Sequence, residues 1–230
     1  MTSRVEDLNR RIVACRRCPR LVEWRESIAR EKRAAYRDQE YWGRPVPGFG
    51  DPKARVLICG LAPAAHCGNR TGRIFTGDQS GTWLFGALYR AGFANQPTST
   101  HRKDGLRLKD CYVTACVRCA PPANRPSTEE RDNCLPYLIE ELEILKRVRV
   151  IVCLGGFAWN GMLRGLRDLG WRPEKKPRFG HGVETRVGPV ALLGCYHPSQ
   201  QNTFTGRLTI PMIDSVMSRA RQLAGGDDCS

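Results

Sequence analysis

The sequence predicts an α/β fold of three layers, α/β/α, around a central four-stranded parallel sheet. Three observations predict it. Short, mostly apolar runs recur at 55–59, 112–117, 148–154 and 190–195. A run apolar at nearly every position suits a strand buried on both faces. Longer stretches with helical signals separate the runs, and such alternation places helices over both faces of a parallel sheet. Finally, 230 residues at 41% hydrophobic and 26% charged can bury one sizeable core.

Residues 4–37 read as helical, broken at Cys15-Arg16-Arg17-Cys18-Pro19. Residues 41–52 hold three prolines and three glycines, which excludes helix or central strand. After the first strand a helix is expected over 80–92. The second strand precedes a helix from Ser127 to about Lys146, and Ser127-Thr128-Glu129-Glu130 has capping-box spacing. The third strand leads into a helix over 157–169 and a polar loop containing Lys175-Lys176-Pro177-Arg178. The fourth leads, after a loop, to a last helix over 210–223. The chain is expected to be one domain, 1–230, with an N-terminal helical segment, 1–40, and a loose tail, 225–230.

Charge narrows the partner. Thirty-seven basic residues against 23 acidic ones give +14, and 30 of the 37 are arginine. An arginine surplus points to a polyanion, because the guanidinium fork suits phosphate. No stretch of about 18 apolar residues exists to span a bilayer. Residues 1–7 carry charge and no apolar segment, so a cytoplasmic location is expected. Eleven cysteines in that compartment point to a metal or a cluster rather than disulfides. Cys59, Cys153 and Cys195 sit in apolar runs, where cysteine behaves as a small hydrophobe.

Ligand crevices of parallel sheets lie beyond the carboxyl ends of the strands. The loop after the first strand, 60–78, is rich in small residues, which let backbone N–H groups approach a ligand. It has neither P-loop nor dinucleotide spacing. The loop after the second strand, 119–126, carries Asn124 among prolines, where its amide is stiffly presented. Gly155-Gly156, after the third strand, has no ionisable group. The loop after the fourth strand gathers His197, Gln200, Gln201, Asn202 and Arg207.

These loops resemble a known family. Gly60-Leu61-Ala62-Pro63-Ala64, with Asn69-Arg70-Thr71-Gly72-Arg73-Ile74-Phe75-Thr76-Gly77-Asp78, and His197-Pro198-Ser199 with Asn202, look like the two signature motifs of the uracil-DNA glycosylase superfamily. The form resembles family 5, the type-b enzymes of bacteria and archaea. Family 4 carries a glutamate where this chain has Leu61. The resemblance runs from Cys15 to about Arg207. It implies a monofunctional, monomeric base-excision repair enzyme that flips uracil from double- or single-stranded DNA and hydrolyses the N-glycosidic bond. A DNA-damage binder without activity is the alternative on the same fold.

The resemblance also implies roles. Asp78, His197, Asn124 and Asn202 would be catalytic: Asp78 for the water, His197 for the charge on the leaving base, and the two asparagines for positioning. Gly60, Leu61, Ala62, Phe75, Asn69 and Arg70 would contact the base, with Phe75 stacking on it. Arg73, Gln200, Gln201, Thr203 and Arg207 would contact DNA, and the loop 200–207 would supply the wedge. In family 4 an asparagine on the second strand reads uracil; Ala115 stands roughly there, implying a broader range of bases. Cys15, Cys18, Cys119 and Cys134 look like the ligands of a structural 4Fe-4S cluster that ties the segment 1–40 to the core. Spacing alone admits zinc or iron–sulfur, and it also admits Cys111 or Cys116 as partners of Cys15 and Cys18.

Overall fold

The sheet grows from strands whose two faces are both buried. A computed structural model describes residues 3–175 and 177–225. It runs α1 (Arg4–Val13), α2 (Pro19–Glu31), β1 (Phe49–Gly50), β2 (Val56–Gly60), α3 (Gly68–Thr71), α4 (Gln79–Arg90), β3 (Cys111–Ala115), α5 (Thr128–Ile144), β4 (Val150–Leu154), α6 (Gly156–Asp168), β5 (Glu184–Val187), β6 (Val190–Cys195), α7 (Gln200–Phe204) and α8 (Ile210–Gly225). The strand order is β1-β3-β2-β4-β6-β5. The inner four, β3-β2-β4-β6, are parallel.

This is the expected three-layer arrangement and the expected parallel core. The sheet is wider than four strands, because β1 pairs antiparallel with β3 and β5 antiparallel with β6. Neither edge strand announces itself. Phe49–Gly50 lies in the proline- and glycine-rich loop, and Glu184–Val187 is polar on its exposed positions. An edge strand has a free side, so it needs no apolar run.

Side chains alternate across the sheet, and each parity feeds a different core. Val56, Ile58, Val113, Val152 and Leu193 pack against α4 and α8 residues such as Leu84, Leu88, Ile213 and Met217. Leu57, Cys59, Tyr112, Ile151 and Leu192 pack against α5 and α6 residues such as Leu138, Trp159 and Met162. Cys59 and Cys153 are fully buried in this second core and Cys111 and Cys195 in the first, as small hydrophobes.

The N-terminal segment folds as two helices, α1 and α2, and a 3-10 turn at Ala34–Tyr36. Leu8 and Ile12 of α1 pack on Tyr137 of α5. Arg11 pairs with Glu140, and Arg20 makes a two-pronged pair with Glu130 at 2.7 Å. Protein contacts therefore join this segment to the core in addition to any cluster. Of the tail 225–230, Gly225 ends α8 and the rest lies outside the described residues, as does Lys176.

A buried ion pair braces the sheet to α5. Arg118 donates to Glu141 at 2.7 Å, Thr114 donates its hydroxyl to the same carboxylate at 2.6 Å, and both charged groups are buried. Breaking such a pair strands a buried charge. Glu141→Ala is therefore expected to lower the unfolding free energy by about 3–5 kcal/mol, with Glu141→Gln losing less, measured by urea denaturation.

Candidate active site

The carboxyl ends of β2, β3, β4 and β6 open on one edge of the sheet, and the first motif fills it. Gly60 ends β2 beside Ala115 of β3. The backbone pairing continues past both strands, with Cys116 N–H donating to Gly60 and Val117 N–H to Leu61, each at 3.0 Å. Phe75 folds back over this floor. A Cβ on Gly60 would stand 2.8 Å from the Phe75 ring, so only glycine admits the ring there. Phe75 has φ +53°, a left-handed conformation that L residues adopt at a cost. Its ring lies 5.8 Å from that of His197, tilted by 39°.

His197 follows β6 by two residues and borders Gly155, at the end of β4. Burial holds its imidazole down at about 4, with the nearby negative charge of Asp78 opposing. At neutral pH it is an uncharged ring that donates from one nitrogen. Asp78 is the N-cap of α4, accepting from Gly81 N–H through Oδ1 at 2.9 Å. It is thus both a helix cap and the carboxylate facing His197. Cys67 is buried next to it; burial and then the Asp78 charge push that thiol well up.

Asn202 belongs to the support of the histidine. Its Nδ2 donates to the His197 carbonyl at 2.9 Å, and its own N–H donates to the capping hydroxyl of Ser199. It is a positioning residue. Asn124 is exposed on a 3-10 turn, Pro122–Asn124, where Ala123 and Asn124 both have positive φ. The structure does not bring its side chain onto the His197–Asp78 pair through any described contact.

Three motif residues sit elsewhere than expected. The Arg70 guanidinium turns into the protein, donating to the carbonyls of His66 at 2.8 Å and Gly77 at 3.1 Å and to Gln39 at 2.6 Å, with Tyr36 below. Arg73 is buried, pairs with Asp104 at 2.6 Å, and donates to Ser99 and Thr76. Asn69 is buried and donates to the Arg25 carbonyl at 3.0 Å. Arg70 satisfies two carbonyls of the irregular loop 60–78, while Asn69 and Arg73 tie that loop to α2 and to residues 99–104.

The outer surface belongs to α7 and the turn that ends it. Gln200 and Gln201 are exposed, Thr203 is half-buried, and exposed Arg207 lies 4.7 Å over the ring of Tyr196. Phe204, in the same short helix, is 71% exposed. The sequence singles out this segment as polar and passes over its one large apolar residue. An isolated phenylalanine carries no pattern to mark it; only its exposure does.

Cys15, Cys18, Cys119 and Cys134 line one small enclosed cavity, together with Leu21, Pro45 and Asn133. Asn133 donates to the Cys18 sulfur at 3.5 Å and Arg25 to the Cys119 sulfur at 3.7 Å. Burial pushes Cys119 up to about 12 and Cys134 up to about 11. Four cysteines lining one cavity, with N–H donors at two of their sulfurs, have the donor chemistry of a thiolate-bound metal group, and among the described residues no three such side chains converge as on a bound ion. Cys111 and Cys116 do not join this ring. Cys116 lies 3.6 Å from Cys59 instead, and Cys111 packs in the first core.

The depressed value of His197 carries a measurable consequence. The unfolded chain binds more protons than the folded one between about 4 and 6.5, so this stabilisation is complete above that window and is lost as pH falls through it. His197→Ala is expected to flatten the pH dependence of stability there. NMR of the wild-type imidazole is expected to show no titration near 6.5.

The profile of the Uracil DNA glycosylase superfamily matches residues 47–220. The chain is 57% identical over 221 residues to a type-5 uracil-DNA glycosylase of Mycobacterium bovis, covering 95% of this chain and 81% of that one. It is 50% identical to a type-5 uracil-DNA glycosylase of Thermus thermophilus, over 93% of this chain and 95% of that one. It is 30% identical to a type-4 uracil-DNA glycosylase of Archaeoglobus fulgidus, over 85% and 81%. With a profile spanning most of the chain and relatives aligned almost end to end, this protein belongs to the uracil-DNA glycosylase superfamily.

Proposed function

We propose that this protein excises uracil from DNA as a monofunctional glycosylase, leaving an abasic site. The observation that carries the reading is the meeting of Phe75, His197 and Asp78 across the ends of β2 and β6 in a chain of this superfamily. The target nucleotide must leave the duplex to reach these groups. Phe75 offers a ring for the flipped base to stack on, and Gly60 and Ala115 floor the pocket without side-chain donors. A pocket so poor in donors accepts related bases, and hypoxanthine or a modified pyrimidine fits the same chemistry.

In the reaction, the C1′–N1 bond breaks and its electron pair leaves with the base as an anion. Water oxygen bonds to C1′ and yields a proton. His197, held neutral by burial, donates its N–H toward the carbonyl on which the anion gathers charge. Its main chain is fixed by Asn202, so the donor needs no reorganisation. Asp78 engages the helix through Oδ1 and uses Oδ2 to orient the water and accept its proton, while its charge stabilises the oxocarbenium sugar. Asn124 completes the placement of base or water once DNA closes on its loop.

Cys15, Cys18, Cys119 and Cys134 would hold a 4Fe-4S cluster, which supplies a rigid structural tie and no step of the hydrolysis. Gln200, Gln201, Thr203 and Arg207 face the duplex. Phe204 is the wedge that fills the gap left by the flipped base; an exposed ring beside the histidine loop recovers stacking that flipping loses. DNA is the partner and the protein works as a monomer, as one domain.

Incubating the protein with a duplex carrying one uracil, then cleaving with alkali, tests the function. Strand breaks at the uracil are expected, and tight binding without breaks would leave only a damage-binding protein. Asp78→Ala is expected to reduce turnover by about 10²–10⁴-fold with DNA affinity nearly intact. Phe204→Ala removes stacking of about 1–3 kcal/mol. It should therefore lower kcat/KM roughly tenfold or more on duplex and much less on single-stranded DNA, where no gap needs filling.

A further inference from the structure

We propose that Arg25 is the counter-charge of the four-cysteine site and also the link that joins that site to the base-pocket loop 60–78. This rests on reading the four cysteines as cluster ligands. Arg25 lies in α2, and its guanidinium is 2% exposed. Nη1 donates to the Cys119 sulfur at 3.7 Å and Nη2 to the Cys15 carbonyl at 3.4 Å. Nε has no partner among the described residues. The nearest carboxylate, Glu26, stands 3.7 Å away and already pairs with Arg16 at 2.5 Å.

A buried cation whose one carboxylate is distant, partly exposed and shared is poorly compensated unless another anion meets it. Arg118, also near the cysteines, has its charge matched by buried Glu141 at 2.7 Å; Arg25 has only the partly exposed Glu26 at 3.7 Å, which it shares with Arg16. Four thiolates around a cluster core of +2 carry about −2, and they lie where Arg25 needs an anion. A positive donor at a ligand sulfur favours the more reduced, more negative cluster, so Arg25 raises the reduction potential and slows loss of the metal.

The same residue reaches the base pocket through its backbone. The Arg25 carbonyl accepts from Asn69 Nδ2 at 3.0 Å, and the Asn69 carbonyl accepts from Gly43 N–H at 3.0 Å. Asn69 opens the segment that continues through Phe75 to Asp78. One residue thus separates a ligand sulfur from the catalytic loop. Ala62 makes a second, apolar contact by packing on the shell of Cys18, Leu21, Val117, Cys119 and Cys134.

The test uses full-length holoprotein purified without oxygen, with iron content and visible absorbance measured first. Wild-type protein lacking both would overturn the cluster reading itself. Given the cluster, Arg25→Met should lower its midpoint potential and speed its loss to a chelator by roughly tenfold or more. An unchanged potential and loss rate would overturn the counter-charge role. Arg25→Gln removes the charge while keeping a side-chain N–H donor, and serves if the methionine variant does not accumulate: a lower potential and faster loss than wild type support the proposal, and values equal to wild type overturn it. Asn69→Ala should keep iron and potential unchanged while amide exchange over residues 69–78 accelerates. Unaltered exchange there would overturn the link.

Discussion

The guanidinium fork of Arg70 is the interaction on which the catalytic end depends. The loop 60–78 contains one short turn of helix, α3, so most of its carbonyls have no ladder to join. Arg70 takes two of them, from His66 and Gly77, and clamps the two halves of the loop about itself. Arg73 acts through side chains instead, donating to the Thr76 and Ser99 hydroxyls and to the Asp104 carboxylate. Between these two staples Phe75 is held at positive φ over Gly60. Without them nothing in the local sequence would keep a phenylalanine in that conformation, since its intrinsic preference lies elsewhere.

That constraint sets the chemistry next to it. Phe75 lies against one side of His197, Gly155 borders its Cβ, and the ring is half-buried, which lowers its proton affinity. The carboxylate that faces it cannot wander, because Asp78 is locked as the cap of α4. A neutral imidazole and an anchored carboxylate are thereby held close enough for the charge of Asp78 to act on His197. Much of this geometry is insulated from the exposed surface. Phe204, Gln200 and Gln201 stand out from α7 into solvent, whereas the histidine and aspartate are held by their neighbours.

The arginine surplus takes on a second meaning here. Arg25, Arg70, Arg73 and Arg118 are all buried, bound to carbonyls, carboxylates or a sulfur. These four residues belong to the interior of the protein and add nothing to a DNA-facing field at contact range. Exposed residues such as Arg125 and Arg207 remain for that task, and their contribution is expected to weaken with salt. Arginine suits the interior role because one planar group satisfies several carbonyls of an irregular loop at once.

The four parallel strands, most of the helices and the residues His197, Asp78 and Phe75 were legible in the sequence. Burial on both faces writes itself as continuous apolar runs, and the two motifs are long enough to stand out. The edge strands were not legible, because a strand covered on one side needs no such run. Nor were the contacts of Asn69, Arg70 and Arg73, which sit inside the motif yet are spent on the Arg25 carbonyl, on loop carbonyls, and on Ser99 and Asp104. A motif records that residues are needed together and not which way each one faces. Sequence alone therefore determined the fold class and the chemical groups at the strand ends. Tertiary structure decided which of those groups face the pocket, since that depends on where the loop's unpaired carbonyls fall and which side chain folds back to meet them.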